Sequence, residues 1–227
     1  MESYSIDYRE SHLKILSDVN FFGNASEELE RIYDLLGGYL KLNKFLQVTY
    51  EPVYIIEKIP PILHSMVEAG NEAGVGPMAA VAGAISEHIG KFILEKGATE
   101  VVVENGGDIF LSLTTEKKVG IHAGPSPLSD KLAFQVLPEE TPVGICTSSA
   151  SVGHSISLGE ADAVTCIAKS TPLADAAATA VANEVKGENG IEQGLKKAKK
   201  IKGITGVLII QDDVMASWGK LPEIVNQ

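Results

Sequence analysis

Asp175 and Thr179 stand four residues apart in the run Ala174-Asp175-Ala176-Ala177-Ala178-Thr179-Ala180. On a helix that spacing puts a carboxylate and a hydroxyl on one face, above an alanine platform. Hard oxygen donors of this kind suit Mg2+, which binds through one or two carboxylates and leaves its other positions to water and substrate phosphates. A blander account stays open. Asp175 in a first helical turn complements the helix dipole, and Thr179 can bond back to a carbonyl.

Three further groupings carry chemistry. In Glu104-Asn105-Gly106-Gly107-Asp108 the simplest reading is a hairpin turn centred on Asn105-Gly106. Gly107 then exceeds what the turn needs, and two glycines can bring backbone against a ligand with the Asp108 carboxylate beside it. From Cys146 to Gly159, the hydroxyls of Thr147, Ser148, Ser149 and Ser155 surround one imidazole, His154. Gly153-His154-Ser155-Ile156-Ser157 falls short of a nucleophile elbow because it lacks the final glycine and a following helix. Such a segment is suited to hydrogen-bonding a heteroaromatic ring, a polyol chain or a phosphate, or it is a serine-rich turn. Last, Gly74-Val75-Gly76-Pro77-Met78-Ala79 has the spacing of a dinucleotide fingerprint, but a helix rather than a strand precedes it. The remaining reading is a tight turn at Gly76 into a helix N-terminus, a favourable place for an anion.

The chain around these groups has 227 residues, 44% of them hydrophobic and 22% charged, which describes a globular protein of one domain. Its 19 Lys and Arg against 30 Asp and Glu give a formal charge of −11, which opposes binding to nucleic acid or an anionic membrane surface. An anionic ligand would need local compensation from a cation or a helix N-terminus. Cys146 and Cys166 form no metal-binding or disulfide pattern and read as buried small hydrophobes. No signal peptide or membrane-spanning run is visible, so the protein reads as cytoplasmic.

Hydrophobic periodicity supplies the elements. It predicts a strand or hairpin over 4–16, a helix over 24–42 capped by Ser26, alternation over 45–54, and a helix opened by Pro60-Pro61 and closed near Gly70 or Gly74. A central helix starts at Pro77, and an alanine-rich helix over 172–185 starts at Thr171 as N-cap. Strands are expected at 101–103, 109–111, 119–122, 132–136, 143–147 and 163–168. An amphipathic segment over 189–200 then precedes strands at 206–211 and 214–218. The whole is an α/β (α+β) domain, with a mixed or antiparallel sheet and the two alanine-rich helices packed centrally. Their small-residue faces are compatible with a homodimer. His88 reads as a core histidine, and the lysines of 196–200 as the solvated end of a helix.

In this order the motifs resemble the ApbE-like superfamily, whose best-known members are Mg2+-dependent FAD:protein FMN transferases. The match covers 70–185 well and the rest loosely. Asn105-Gly106-Gly107-Asp108 is similar to the family's GGD turn, Thr147-Ser148 with His154-Ser155 to its TSG…H segment, and Asp162 through Thr179 to its closing ADAVTV…ADAxAT signature. The resemblance implies Asp175 and Thr179 as metal ligands, joined by a backbone carbonyl from 79–83. It also implies a flavin nucleotide lying along Gly106–Asp108 and Thr147–His154. The glycine-rich helix start lacks the family's Asp and Lys, and its Asp-Pro…Thr-Gly stretch is missing after His154. The chain is most similar to the short branch of the superfamily, from which no reaction is simply inherited.

Two functions follow as expectations. One is a Mg2+-dependent enzyme acting on the pyrophosphate of FAD or a related dinucleotide, by FMN transfer or hydrolysis, with His154 or Asp108 as base or acceptor-orienting group. The other is a flavin- or nucleotide-binding or assembly protein that kept the fold without the chemistry.

Overall fold

The computed structural model describes residues 1–55, 58–149 and 159–227. Alternating residues at the start form β1 (Glu2–Tyr8) and β2 (Ser11–Ser17), an antiparallel hairpin. β2 then pairs with β3 (Val101–Asn105), which turns directly into β4 (Asp108–Ser112). β7 (Val143–Ser148), β8 (Ala163–Ala168), β9 (Ile204–Gln211) and β10 (Val214–Gly219) continue the order β1-β2-β3-β4-β7-β8-β9-β10. Every pairing is antiparallel, which settles the mixed-or-antiparallel alternative. A smaller sheet, β11-β6-β5, is built from β5 (Lys117–Gly120), β6 (Leu132–Val136) and β11 (Glu223–Asn226).

Because side chains alternate across a strand, the large sheet feeds two cores. Leu13, Ile15, Val101, Val103, Phe110, Cys146, Val164 and Cys166 face the helices. Leu111, Val143, Ile145, Ala163, Ile167 and Leu208 face the small sheet, where Phe134 and Val136 meet them. The layers are therefore helices, large sheet, small sheet. Fully burying one Leu or Ile contributes about 1.5–3 kcal/mol, so each core is a substantial reserve.

On the helical side, α1 (Phe22–Leu42) buries Leu29, Ile32, Leu36 and Leu40. Its start departs from expectation: the helix begins at Phe22, and the Ser26 hydroxyl is buried inside it with no hydrogen-bond partner among the described residues. Residues 45–54 alternate in sequence but give a single helical turn, α2 (Phe45–Val48), followed by an irregular run. α3 (Pro61–Ala73) ends at Gly74 with φ 77°, the left-handed stop that favours glycine. Residues Pro77–Ala80 form a 3-10 turn rather than the first turn of the central helix, and α4 (Val81–Glu95) starts after it.

α5 (Thr171–Ala182) takes Ser170, not Thr171, as its N-cap: the Leu173 N–H donates to Ser170 Oγ, while the Thr171 hydroxyl is buried and unpartnered. α6 (Gly190–Ala198) ends in the lysine run, with Lys196 paired to Glu192 at 2.7 Å. His88 is not a core residue in isolation, since its Nε2 lies 2.6 Å from Glu28, tying α4 to α1. His12, His64 and His122 pair with Asp7, Glu68 and Asp130 at the surface. No helix among the described residues is long and apolar enough to cross a membrane.

Candidate functional site

The turn joining β3 to β4 corrects the sequence reading. Asn105 pairs with Asp108 in the ladder, so the two-residue loop is Gly106-Gly107, with φ of 64° and 104°. Both glycines serve the turn, because a primed hairpin loop needs positive φ at both central positions. Asn105 instead belongs to the strand, where its side chain is committed inward. The His12 N–H donates to Asn105 Oδ1 at 3.3 Å, and Asn105 Nδ2 donates to Ser11 Oγ at 3.2 Å. A Cβ on Gly106 would meet nothing within 4 Å, so the outer face of the loop is open.

Asp108 follows the loop and lies opposite Cys146 of β7. Cys146 and Ser148 share the helix-facing side of that strand; Thr147 points to the other side, where its hydroxyl meets that of Thr165 at 2.8 Å. The Ser148 hydroxyl is buried with no hydrogen-bond partner among the described residues. Ser149 is buried beside it. His154 and Ser155 lie outside the described residues.

Above this end of the sheet runs α5, seated by close backbone contacts. Cβ atoms built on Gly144 and Gly83 would fall 2.5 Å from Thr171 Cα and 2.6 Å from Thr171 O, respectively. Only Leu173, Asp175 and Thr179 on this helix are more than slightly exposed, and its two polar candidates, four residues apart, share one partly open stripe. Asp175 Oδ2 accepts the Gly83 N–H at 2.9 Å, and the Ala82 N–H also bears on the carboxylate. The resemblance implied a carbonyl from 79–83; what this region turns towards Asp175 is amide N–H. One turn on, Ser86 Oγ donates to the Asp108 carbonyl at 2.8 Å, so a single face of α4 grips both acidic residues.

Gly76 stands apart. A Cβ there would lie 2.0 Å from the Thr49 carbonyl oxygen, so the main chain of 49–50 already occupies its open side. The helix N-terminus that accepts an anion is that of α4, and its anion is the protein's own Asp175.

Electrostatics set the character of the site. Burial pushes the Asp175 carboxyl up to about 7, against the pull of the two amides. Asp108 is raised well above the carboxylate range, first by burial and then by the charge of Asp175, with the Cys146 thiol partly offsetting this. That thiol is itself pushed up by burial and by both carboxylates, and it lies 3.5 Å from the Thr171 carbonyl. Among the described residues no cationic side chain contributes to holding either carboxylate ionised. Among the described residues no three His, Cys, Asp or Glu converge as a ready-made metal cage. Two carboxylates with nearby hydroxyls nevertheless match the sparse oxygen set that Mg2+ takes from a protein.

A protein-family profile described as AbpE bacteria matches residues 2–206. The chain belongs to that family. It is 40% identical over 216 residues to the UPF0280 protein MJ1526 of Methanocaldococcus jannaschii, covering 93% of this chain and 87% of that one. A UPF0280 protein of Methanosarcina acetivorans is also 40% identical, over 220 residues, covering 96% and 87%. Among solved structures, the flavin transferase ApbE from Vibrio cholerae superposes with a TM-score of 0.62 at 16% identity, covering 96% of both chains. The apo flavinyl transferase ApbE of Pseudomonas stutzeri gives 0.63 at 14%, covering 96% and 94%. At those identities the likeness establishes the fold, which this member of the AbpE bacteria family shares with the flavin transferases.

Proposed function

We propose that this chain is a Mg2+-dependent enzyme that splits the pyrophosphate of FAD or a related flavin dinucleotide, passing the FMN portion to a hydroxyl acceptor or to water. The observation that carries the reading is the pairing of buried Asp108 with half-buried Asp175, without a cationic side chain beside them among the described residues, at the sheet end where the backbone of Gly106 is open. Two acids without a cationic side chain among the described residues suit an anionic substrate through a bound cation. The fold shared with flavin transferases makes a flavin nucleotide the first ligand to test.

In this reading Asp175 and Thr179 hold the cation from the open stripe of α5. When bound, the ion neutralises charge developing on the phosphoanhydride oxygens. The Ala82 and Gly83 amides hold the Asp175 carboxylate in place, the Gly83 N–H through Oδ2. The Gly106-Gly107 loop offers backbone to the nucleotide, Ser148 and Ser149 lie at the adjoining strand end, and Thr147 meets the loop through its main chain, its N–H donating to the Gly107 carbonyl at 3.2 Å. His154 or Asp108 takes the acceptor proton or orients the acceptor. Incubation with FAD and Mg2+, followed by chromatography, is expected to release AMP, with the FMN portion either free or attached to the acceptor, and Asp175→Ala to abolish the release. Absence of product from the wild-type chain, or undiminished product from Asp175→Ala, overturns the reading.

A second reading is favoured by one observation. The helix start at 76–83 carries no Lys or Asp, and Thr49 covers Gly76, so this segment offers a nucleotide no cationic group. A flavin-binding or assembly protein without turnover would fit that. Tight quenching of flavin fluorescence with no product supports it.

A further inference from the structure

We propose that Asp108 is a ligand of the divalent cation rather than a base, so that Asp108 joins Asp175 and Thr179 to complete the protein's share of the site before nucleotide arrives, and nucleotide binds only to the metal-loaded chain. The proposal rests on the functional reading above and deepens it. Its first ground is geometry. Gly83 and Ser86 lie on one face of α4, one holding the Asp175 carboxylate at 2.9 Å and the other the Asp108 carbonyl at 2.8 Å. Asp108 is opposite Cys146 in the ladder, and Cys146 Sγ reaches the carbonyl of Thr171, one turn before Asp175 on α5. Strand and helix thus bring the two acids to a common place, each held by its own element.

A second, independent observation comes from Ser148. The residue is 4% exposed, and its hydroxyl is buried, lacks any hydrogen-bond partner among the described residues, and projects from the same face as Cys146, towards the end of the sheet where β4 opens with Asp108. A buried hydroxyl without a partner costs roughly 1–3 kcal/mol, a cost that a bound cation or its water shell would remove. Cys146 is not a ligand in this scheme, since a protonated thiol among hard oxygens adds little for Mg2+ or Mn2+.

The consequence is an order of events. Without the cation the described residues of the site offer a dinucleotide pyrophosphate no positively charged side chain, so the loaded site attracts a substrate that the apo site does not. A base at Asp108 would also have to reach the acceptor from a side chain that is almost fully enclosed, at 9% exposure.

Mn2+ alone, added to the full chain without nucleotide and followed through the electron paramagnetic resonance signal of the free ion, tests this. One ion per chain is expected, with affinity lowered about tenfold or more by Asp108→Asn and by Asp175→Asn, and less by Ser148→Ala. Quenching of FAD fluorescence is expected to vanish with a chelator and return with Mg2+. Uptake of Mn2+ only when FAD is present, unchanged affinity in Asp108→Asn, or FAD binding in the presence of chelator overturns the proposal. The wild-type titration decides it even where a variant does not fold. FAD turnover with Mn2+ taken up only alongside nucleotide sinks this proposal alone, whereas nucleotide-free uptake with no FAD turnover sinks the functional reading alone.

Discussion

At Gly83 a single hydrogen atom separates a formed site from a collapsed one. Glycine inside a helix costs about 0.5–1 kcal/mol relative to alanine, yet here a Cβ would sit 2.6 Å from the Thr171 oxygen and 2.8 Å from Asp175 Cβ. Neither contact can give without moving the start of α5. Gly83→Ala is therefore expected to destabilise the chain by roughly 1–3 kcal/mol and to weaken Mn2+ binding, measured by thermal unfolding and by the free-ion signal. A variant as stable as the wild type with full metal affinity contradicts this. Thr171 belongs to the same account. As an expected N-cap it was a local feature; in the fold its hydroxyl is buried over Gly144 and the cap passes to Ser170. Only the packing of α5 on β7 decides between two adjacent hydroxyl residues.

At the level of elements, the loop between β3 and β4 separates the roles of its glycines. Gly106 has φ 64° with open space around it, a conformation that Asn tolerates, whereas Gly107 has φ 104°, outside the region that L side chains occupy readily. Gly106→Asn should change stability by less than about 0.5 kcal/mol. Gly107→Ala should cost roughly 1–2 kcal/mol in denaturant unfolding, and should disturb flavin binding if the loop lies against the nucleotide. Equal effects would mean the loop is not the two-residue turn described. The hairpin itself was legible from Asn105-Gly106 between two apolar runs. Its register was not, because either Asn105-Gly106 or Gly106-Gly107 can supply positive φ, and the choice falls to the strand pairing that draws Asn105 in towards Ser11. The alternation over 45–54 misled for a related reason: this segment joins neither sheet, and its 49–50 main chain lies against Gly76.

For the molecule as a whole, two buried carboxylates away from the site join distant segments. Glu28 is held down to about 2 by its hydrogen bonds to Arg31, ahead of those to His88, against burial. Glu100 also lies near 2: burial works to raise it, and the N–H and hydroxyl groups of Thr114 and Thr115, with Lys117, outweigh that. Against an unfolded value of 4.5, each pKa is depressed, so the unfolded chain binds more protons between the two values. Their stabilisation is thus complete above about pH 4.5 and is lost as the pH falls towards 2, about 3 kcal/mol for each. Glu100→Gln should lower the melting temperature at pH 7 and flatten its fall between pH 4.5 and 2. An acid-unfolding profile parallel to the wild type would contradict this.

The amino-acid sequence alone carried most of the element types, the family resemblance and Asp175 with Thr179 on one helical stripe, because each depends on spacing over a few residues and on which side chains can leave water. Tertiary structure alone decided which glycine faces which backbone and where β11 pairs with β6. It likewise decided that Asp108 and Asp175, far apart along the chain, share one enclosed space. Those outcomes depend on desolvation and close contact between segments distant in sequence, and no local pattern encodes them.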